Sequence, residues 1–158
     1  MTIWQTPVTD RTQEDYEFAK MKIAEWIADP SLVRYDLKGC LNVGDINRIE
    51  GNIEYLSHRL NELYYRNSTS NFTSWGRENV PTTNDVIRII QNVNNLVRVY
   101  QLRKNSPSVP TNISTINDAN NIEKILQIIL ENIEIMVNSF KKCGTIHCNS
   151  TSVLPLRR

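Results

Sequence analysis

The sequence predicts an all-α domain: four amphipathic helices in an antiparallel, bundle-like arrangement, with an extended N-terminal arm and a short C-terminal tail or hairpin. Three observations predict it. A helix-start signal recurs four times along 158 residues. Each start leads into apolar residues at alternating steps of three and four, which line one side of a helix. The intervening stretches are polar and are punctuated by Pro and Gly.

The start signal reads as a weak internal repeat. Asn42-Val43-Gly44-Asp45-Ile46-Asn47-Arg48-Ile49 aligns with Thr82-Thr83-Asn84-Asp85-Val86-Ile87-Arg88-Ile89 and with Thr115-Ile116-Asn117-Asp118-Ala119-Asn120-Asn121-Ile122. Thr12-Gln13-Glu14-Asp15-Tyr16 begins the same way. Asn or Thr at the N-cap accepts from an otherwise unpaired backbone N–H. The Asp three places on reaches back to the cap and favours the positive end of the helix dipole. Convergence of capped helices on similar strings is favoured over common descent as the origin of the repeat.

The helices follow in order. The first, over 12–28, carries Tyr16, Ala19, Ile23 and Trp26 on its stripe and stops before Asp29-Pro30, since Pro disfavours helix at the preceding residue. The second, over 43–66, carries Ile46, Ile49, Ile53, Leu56, Leu60 and Leu63. The third, over 83–104, carries Val86, Ile89, Val93, Leu96 and Tyr100, with a second stripe at Ile87, Ile90 and Val97. The fourth, over 116–142, is the most apolar, and its wide face predicts a central position. Cys143-Gly144 marks its stop. The chain thus reads as one domain: arm 1–11, bundle 12–142, tail 143–158. The heptad-like spacing suits helices crossing at a shallow angle.

Composition excludes several classes. With 18 basic and 17 acidic residues the net charge is +1, and no clustered excess of Lys and Arg predicts nucleic-acid binding. Leu156-Arg157-Arg158 reads as a solvated tail. No long apolar run predicts a membrane span, and the first residues lack a signal-peptide pattern. The expected place of synthesis is a cytoplasm. The N-x-S/T matches at Asn67, Asn71, Asn112 and Asn149 carry no weight in that setting.

No constellation predicts catalysis, and neither an enzyme nor a cofactor is expected. Glu50 and Glu54 lie one turn apart, but beside Arg48 and Arg59 they read as a solvated, salt-linked face rather than an acid–base pair. Cys143, His147 and Cys148 are the one cluster of metal-ligand types. They lack the second ligand pair of structural zinc, so reduced thiols are favoured over a hairpin disulfide or a metal site. Five glycines leave little for phosphate-cradling loops. Trp26 reads as core. Trp4 and Trp75 lie off the helices and read equally as interface anchors or as caps on the bundle.

Several strings together resemble a known module. They are Trp4-Gln5-Thr6-Pro7-Val8-Thr9-Asp10-Arg11-Thr12, Lys38-Gly39-Cys40-Leu41-Asn42, Asp45-Ile46-Asn47-Arg48-Ile49-Glu50 with Asn52, Tyr55-Leu56, and Asn121-Ile122-Glu123-Lys124-Ile125-Leu126. With Cys143-Gly144 they span nearly the whole chain. They resemble a module of phage tail-associated structural proteins, from prophages and phage-tail-like particles of clostridia and related Gram-positive bacteria. The resemblance implies a part of a tail, baseplate or fibre, and it carries no catalytic residues.

The expected function is therefore a structural or assembly subunit, a helical spacer or adaptor in a virion tail or tail-like particle. Its expected partners are other tail or baseplate proteins, self-association included, with no nucleic acid and no membrane. Candidate contacts are the apolar residues the helices do not use: Ile3 and Trp4 in the arm, Phe72 and Trp75 in the polar loop, and Val153, Leu154 and Leu156 in the tail. The alternative is a host-surface or glycan-binding module gripping through Trp4, Phe72 and Trp75. A cytoplasmic assembly chaperone is a third reading.

Overall fold

The computed structural model describes residues 2–76, 78–100, 102 and 105–151, and for 140–151 it describes the backbone alone. Four helices form: α1 (Gln13–Ala28), α2 (Val43–Glu62), α3 (Thr83–Val99) and α4 (Ile116–Thr151). Among the described residues there is no strand. The all-α, four-helix class expected from the sequence is the class observed.

All four starts are capped as the repeat requires. Thr12, Asn42 and Thr82 each accept from the backbone of an Asp three residues on, and that Asp accepts from the cap's own N–H. At α4, Asp118 N–H donates to Thr115 Oγ1 at 3.1 Å, and Thr115 N–H donates to Asp118 at 2.8 Å. At Asp15, Asp85 and Asp118 these bonds hold the carboxyl below the ordinary value of 3.8. At Asp15 the Thr12 backbone is the main cause, and at Asp85 the Thr82 hydroxyl. At Asp118 burial pulls upward, but the Thr115 and Ser114 bonds outweigh it.

Helix ends depart from expectation where local geometry wins. α2 stops at Glu62 rather than 66, because Tyr64 turns left-handed (φ 65°). Tyr65 N–H then donates to Leu60 O, and Tyr64 N–H to Asn61 O, the paired bonds that close a helix C-terminus. α3 ends at Val99 because Tyr100 becomes extended and sets its ring against Tyr65, 6.2 Å away. α4 runs through Cys143-Gly144 to Thr151, so residues 143–151 are not the tail or hairpin expected. One interior Gly costs a helix only about 1 kcal/mol, and no Pro follows before Pro155.

The core lies between α2, α3 and α4. Ile53, Leu56 and Leu60 meet Val93 and Leu96, and both sets meet Ile122, Leu126, Ile129 and Ile133 of α4, which is central as expected. Helix direction differs from the antiparallel expectation. Near its start α2 meets the start of α4 through Arg48 and Glu123, and it meets α3 through Glu50 and Arg88. Beyond its end, Tyr65 meets Tyr100, which in turn reaches Asn132 of α4. Matching ends point the same way, so the three core helices run parallel. The connections are long enough to return the full helix length, and they do so in extended form.

Three extended segments therefore run back along the bundle. The arm lies along α2 and α4, where Gln5 bonds Asn52 and Val8 bonds Glu123. Residues 67–75 lie along α2 and α3, passing Asn61, Asn92, Glu50 and Asn47 in turn. The third segment packs Val109 and Ile113 against the core.

α1 is not part of the bundle, contrary to the 12–142 expectation. Of its residues only Ala19 is buried. It docks by its first turn, where Gly39 sits so close that an added Cβ would lie 1.9 Å from Asp15 O. Lys38 bridges Asp10 and Asp15 nearby. Trp26, expected in the core, packs edge-on against Tyr35 at 5.3 Å instead.

Two tests follow from these ends. Tyr64 is almost fully exposed, so Tyr64→Gly relieves the left-handed backbone without loss of packing and raises stability by up to about 1 kcal/mol in urea unfolding. A fall in stability would contradict the assignment. The lowered cap carboxyls contribute fully above the ordinary value of 3.8 and lose that contribution as pH drops through their folded-state values. Thermal melting followed by circular dichroism should be level near neutrality and decline below about pH 4. A Tm that holds to pH about 2 would remove the caps from the account.

Candidate functional site

Two buried carboxylates hold the extended segments to the helices. Glu123 of α4 is fully buried. Its oxygens accept from Val8 N–H at 2.7 Å, from Arg11 at 2.8 Å, and from Arg48 at 2.8 and 2.9 Å. Arg11 also reaches Asp45 at 2.9 Å, and Arg48 pairs with the same Asp45. Two guanidinium groups and two carboxylates thus close a neutral network between arm, α2 and α4. The Glu123 bonds raise Arg48 further above its already high ordinary value.

Glu50 of α2 does the same for residues 67–75. It is wholly buried and accepts from Phe72 N–H at 2.8 Å, from Trp75 Nε1 at 2.9 Å and from both terminal nitrogens of Arg88. Asparagine amides clamp the segment on each side. Asn47 takes both backbone groups of Trp75 (2.9 and 3.0 Å), and Asn92 both of Ser70 (3.0 and 2.6 Å). On the arm, Asn120 takes both backbone groups of Arg11 and Asn52 both of Gln5.

The two stations are copies in register. Counted from the N-cap, Asn47 and Asn120 share the fifth position, Arg48 and Arg88 the sixth, Glu50 and Glu123 the eighth, and Asn52 and Asn92 the tenth. The internal repeat therefore extends past the caps and specifies a strapped groove. Of the four remaining register positions three hold Ile87, Ile90 and Ile125 and one holds Asn121, so α3 lacks the Asn and Glu that a matching polar station with α4 would need.

These contacts correct several expectations. Glu50 and Glu54 do not form a solvated pair. Glu50 is sealed under Trp75, while Glu54 is half-buried and accepts from the Thr2 hydroxyl. Trp75, expected as an anchor or a cap, is a buried part of the protein's own packing, only 8% exposed. Phe72 packs edge-on against it at 5.0 Å and stays partly exposed. Trp4 is half-buried beside Tyr55, 5.8 Å away, and Ile3 is 80% exposed. The trio offered for glycan stacking is thus not an open platform. Val153, Leu154 and Leu156 lie outside the described residues, as do the side chains of Cys143, His147 and Cys148.

The exposed apolar surface lies mainly where the sequence did not place it. Tyr16, Phe18, Met21, Ile23 and Ile27 of α1 are exposed, as are Leu32, Val33 and Leu41 on the return to α2. The available signal was the weakness of α1's stripe, which has four members and continues past Trp26 only at Ile27. Beside this surface, at the end where α2 and α4 begin, a cleft of about 240 Å³ opens between Tyr16, Cys40, Leu41 and Ile113. Burial, then the Asp45 and Asp36 carboxylates, pushes the Cys40 thiol up.

Comparison with known protein families, characterised proteins and solved structures finds no match for this chain. Among the described residues no helix is long and apolar enough to cross a membrane.

Removing one partner from a buried charge network leaves the others unpaired, which costs about 3–5 kcal/mol. Glu123→Ala should lose that much in urea unfolding. Glu54→Ala, at a half-exposed site with one hydroxyl partner, should lose less than about 1.5 kcal/mol. Equal losses would show that Glu123 does not anchor the arm.

Proposed function

We propose that this chain is a non-catalytic structural subunit of a phage tail, baseplate, tail fibre or phage-tail-like particle, acting as a helical spacer or adaptor. The sequence resemblance carries this reading. Its strings supply Arg11, Asp45, Arg48, Glu50, Asn52 and Glu123, the residues that tie arm and helices together. What is shared with the tail-associated module is therefore the set that determines the bundle's construction.

A spacer must be stiff and must carry its contacts outside its own core. Both carboxylate stations are saturated by the protein's own donors, which suits fastening and leaves no open acid–base pair. The bare face of α1 adds a surface of the kind partners cover. The arm is now a poor docking element, since residues 5–11 are built into the bundle. Contacts to neighbouring tail proteins pass instead through α1, Ile3, Phe72 and the C-terminal segment.

Mass spectrometry of purified particles from a producing strain tests the reading. The chain should be present at a fixed ratio to the other tail proteins. Ile23→Glu with Ile27→Glu should leave the helical spectrum unchanged and strongly reduce incorporation. Absence of the wild-type chain from particles would refute the subunit reading and favour a cytoplasmic assembly factor.

A further inference from the structure

The cleft beside α1 has features of a peptide site rather than of a packing gap. It sits against the first turn of α4, lined by apolar Tyr16, Leu41, Ile113 and Ala119, with Ser114 and Thr115 beside them. Through Leu41 and Ile113 it continues into a second apolar cleft of about 250 Å³ at Val86 and Ile89. Arg11 also lines it, and Arg11 is buried. Its terminal nitrogens are bonded to Val8, Asn120, Asp45 and Glu123, but its Nε–H has no acceptor. Among the described residues it is the one buried side-chain polar atom left so. An apolar channel of this kind suits the alternating apolar side chains of an extended peptide.

The chain carries such a segment. Val153-Leu154-Pro155-Leu156 ends in Arg157-Arg158, and a Pro within it disfavours helix. It cannot reach the cleft of its own molecule. α4 has 36 residues, and at 1.5 Å each it places Thr151 about 54 Å from the cleft. The seven residues that follow span at most about 25 Å. A neighbouring copy can be reached where the parent molecule cannot.

We propose that the cleft lined by Tyr16, Leu41 and Ile113 binds the Val153–Arg158 segment of a second copy, joining copies head to tail. The proposal rests on the subunit reading above and names one of its partners. Cleft and tail are different surfaces, so the contact is heterologous and propagates as a ring or an open filament. Exposed Asp36 and the cap carboxylate of Asp118 lie near the cleft, and opposite charge on Arg157 and Arg158 favours this orientation.

Sedimentation velocity of the purified full chain tests it. Wild type should show species that grow with concentration. A chain ending at residue 151 and a Leu41→Lys variant should each be monomeric, with unchanged helicity. Mixed in equal amounts, the two should form a dimer and nothing larger, because one supplies the intact cleft and the other the intact tail. A synthetic peptide of residues 150–158, added in excess to wild type, should return it to monomer. The idea is overturned by a wild type that stays monomeric at all concentrations, by variants that assemble like wild type, by a mixture without dimer, or by a peptide without effect. The subunit reading survives such a failure, because it is scored separately by presence in particles.

Discussion

A carboxylate taken out of water must be met by enough donors to offset its lost hydration, and in this protein that requirement organises the fold. Glu123 and Glu50 sit at zero exposure on the helix faces that an extended segment must cross. Each can be buried only if a backbone N–H and a guanidinium arrive together. Val8 with Arg11 and Arg48 meets the first, and Phe72 with Arg88 meets the second, helped by the Trp75 indole. The cost of leaving either Glu unpaired fixes where the segment lies and in what register. Apolar packing alone would be far less exact, since sliding a segment along a greasy groove changes the buried area little.

That constraint explains the parallel helices. Each polar station joins the first half of one helix to the first half of another, so like ends must be adjacent. The return path is then forced onto the connections. The arm and residues 67–75 stay extended because Asn side chains, instead of a helix or sheet, satisfy their backbone groups. The chain builds extended segment and helix in alternation, with α1 interposed between the arm and α2. Standing outside this scheme, α1 keeps little of its apolar face covered and is tied down mainly where Gly39 lets two backbones meet.

Much of this was legible in the sequence. The caps and the three-and-four spacing located all four helix starts, because both are local and depend on a few neighbouring residues. The greasy face of α4 announced its central place. Helix direction was not legible from spacing, since a heptad seam packs in either orientation. The information lay in the polar residues of the same repeat, Asn47 with Asn120 and Glu50 with Glu123, of which Glu50 read as part of a solvated face when taken without its partners. A charged residue on a helix signals burial only when its partner is known, and Arg11 and Arg88 are remote from their carboxylates in the chain. Trp75 misled for a related reason. An aromatic off the helices looks spare until the indole N–H is seen to have an acceptor. The C-terminal boundary failed because Gly144 ends a helix only if the following chain turns away, which the local sequence does not decide.

The picture that results is a bundle with its polar fasteners inside and with exposed apolar residues along α1. Its central claim is that arm and crossover are integral parts of the bundle although they have no regular secondary structure. Amide hydrogen exchange, resolved by residue, tests this most directly. The account predicts that Val8 and Phe72, each bonded to a buried carboxylate, exchange as slowly as the amides of the α2 and α4 core. If both exchange as fast as the exposed stretch 29–36, the segments are not held by Glu123 and Glu50, and the account is wrong.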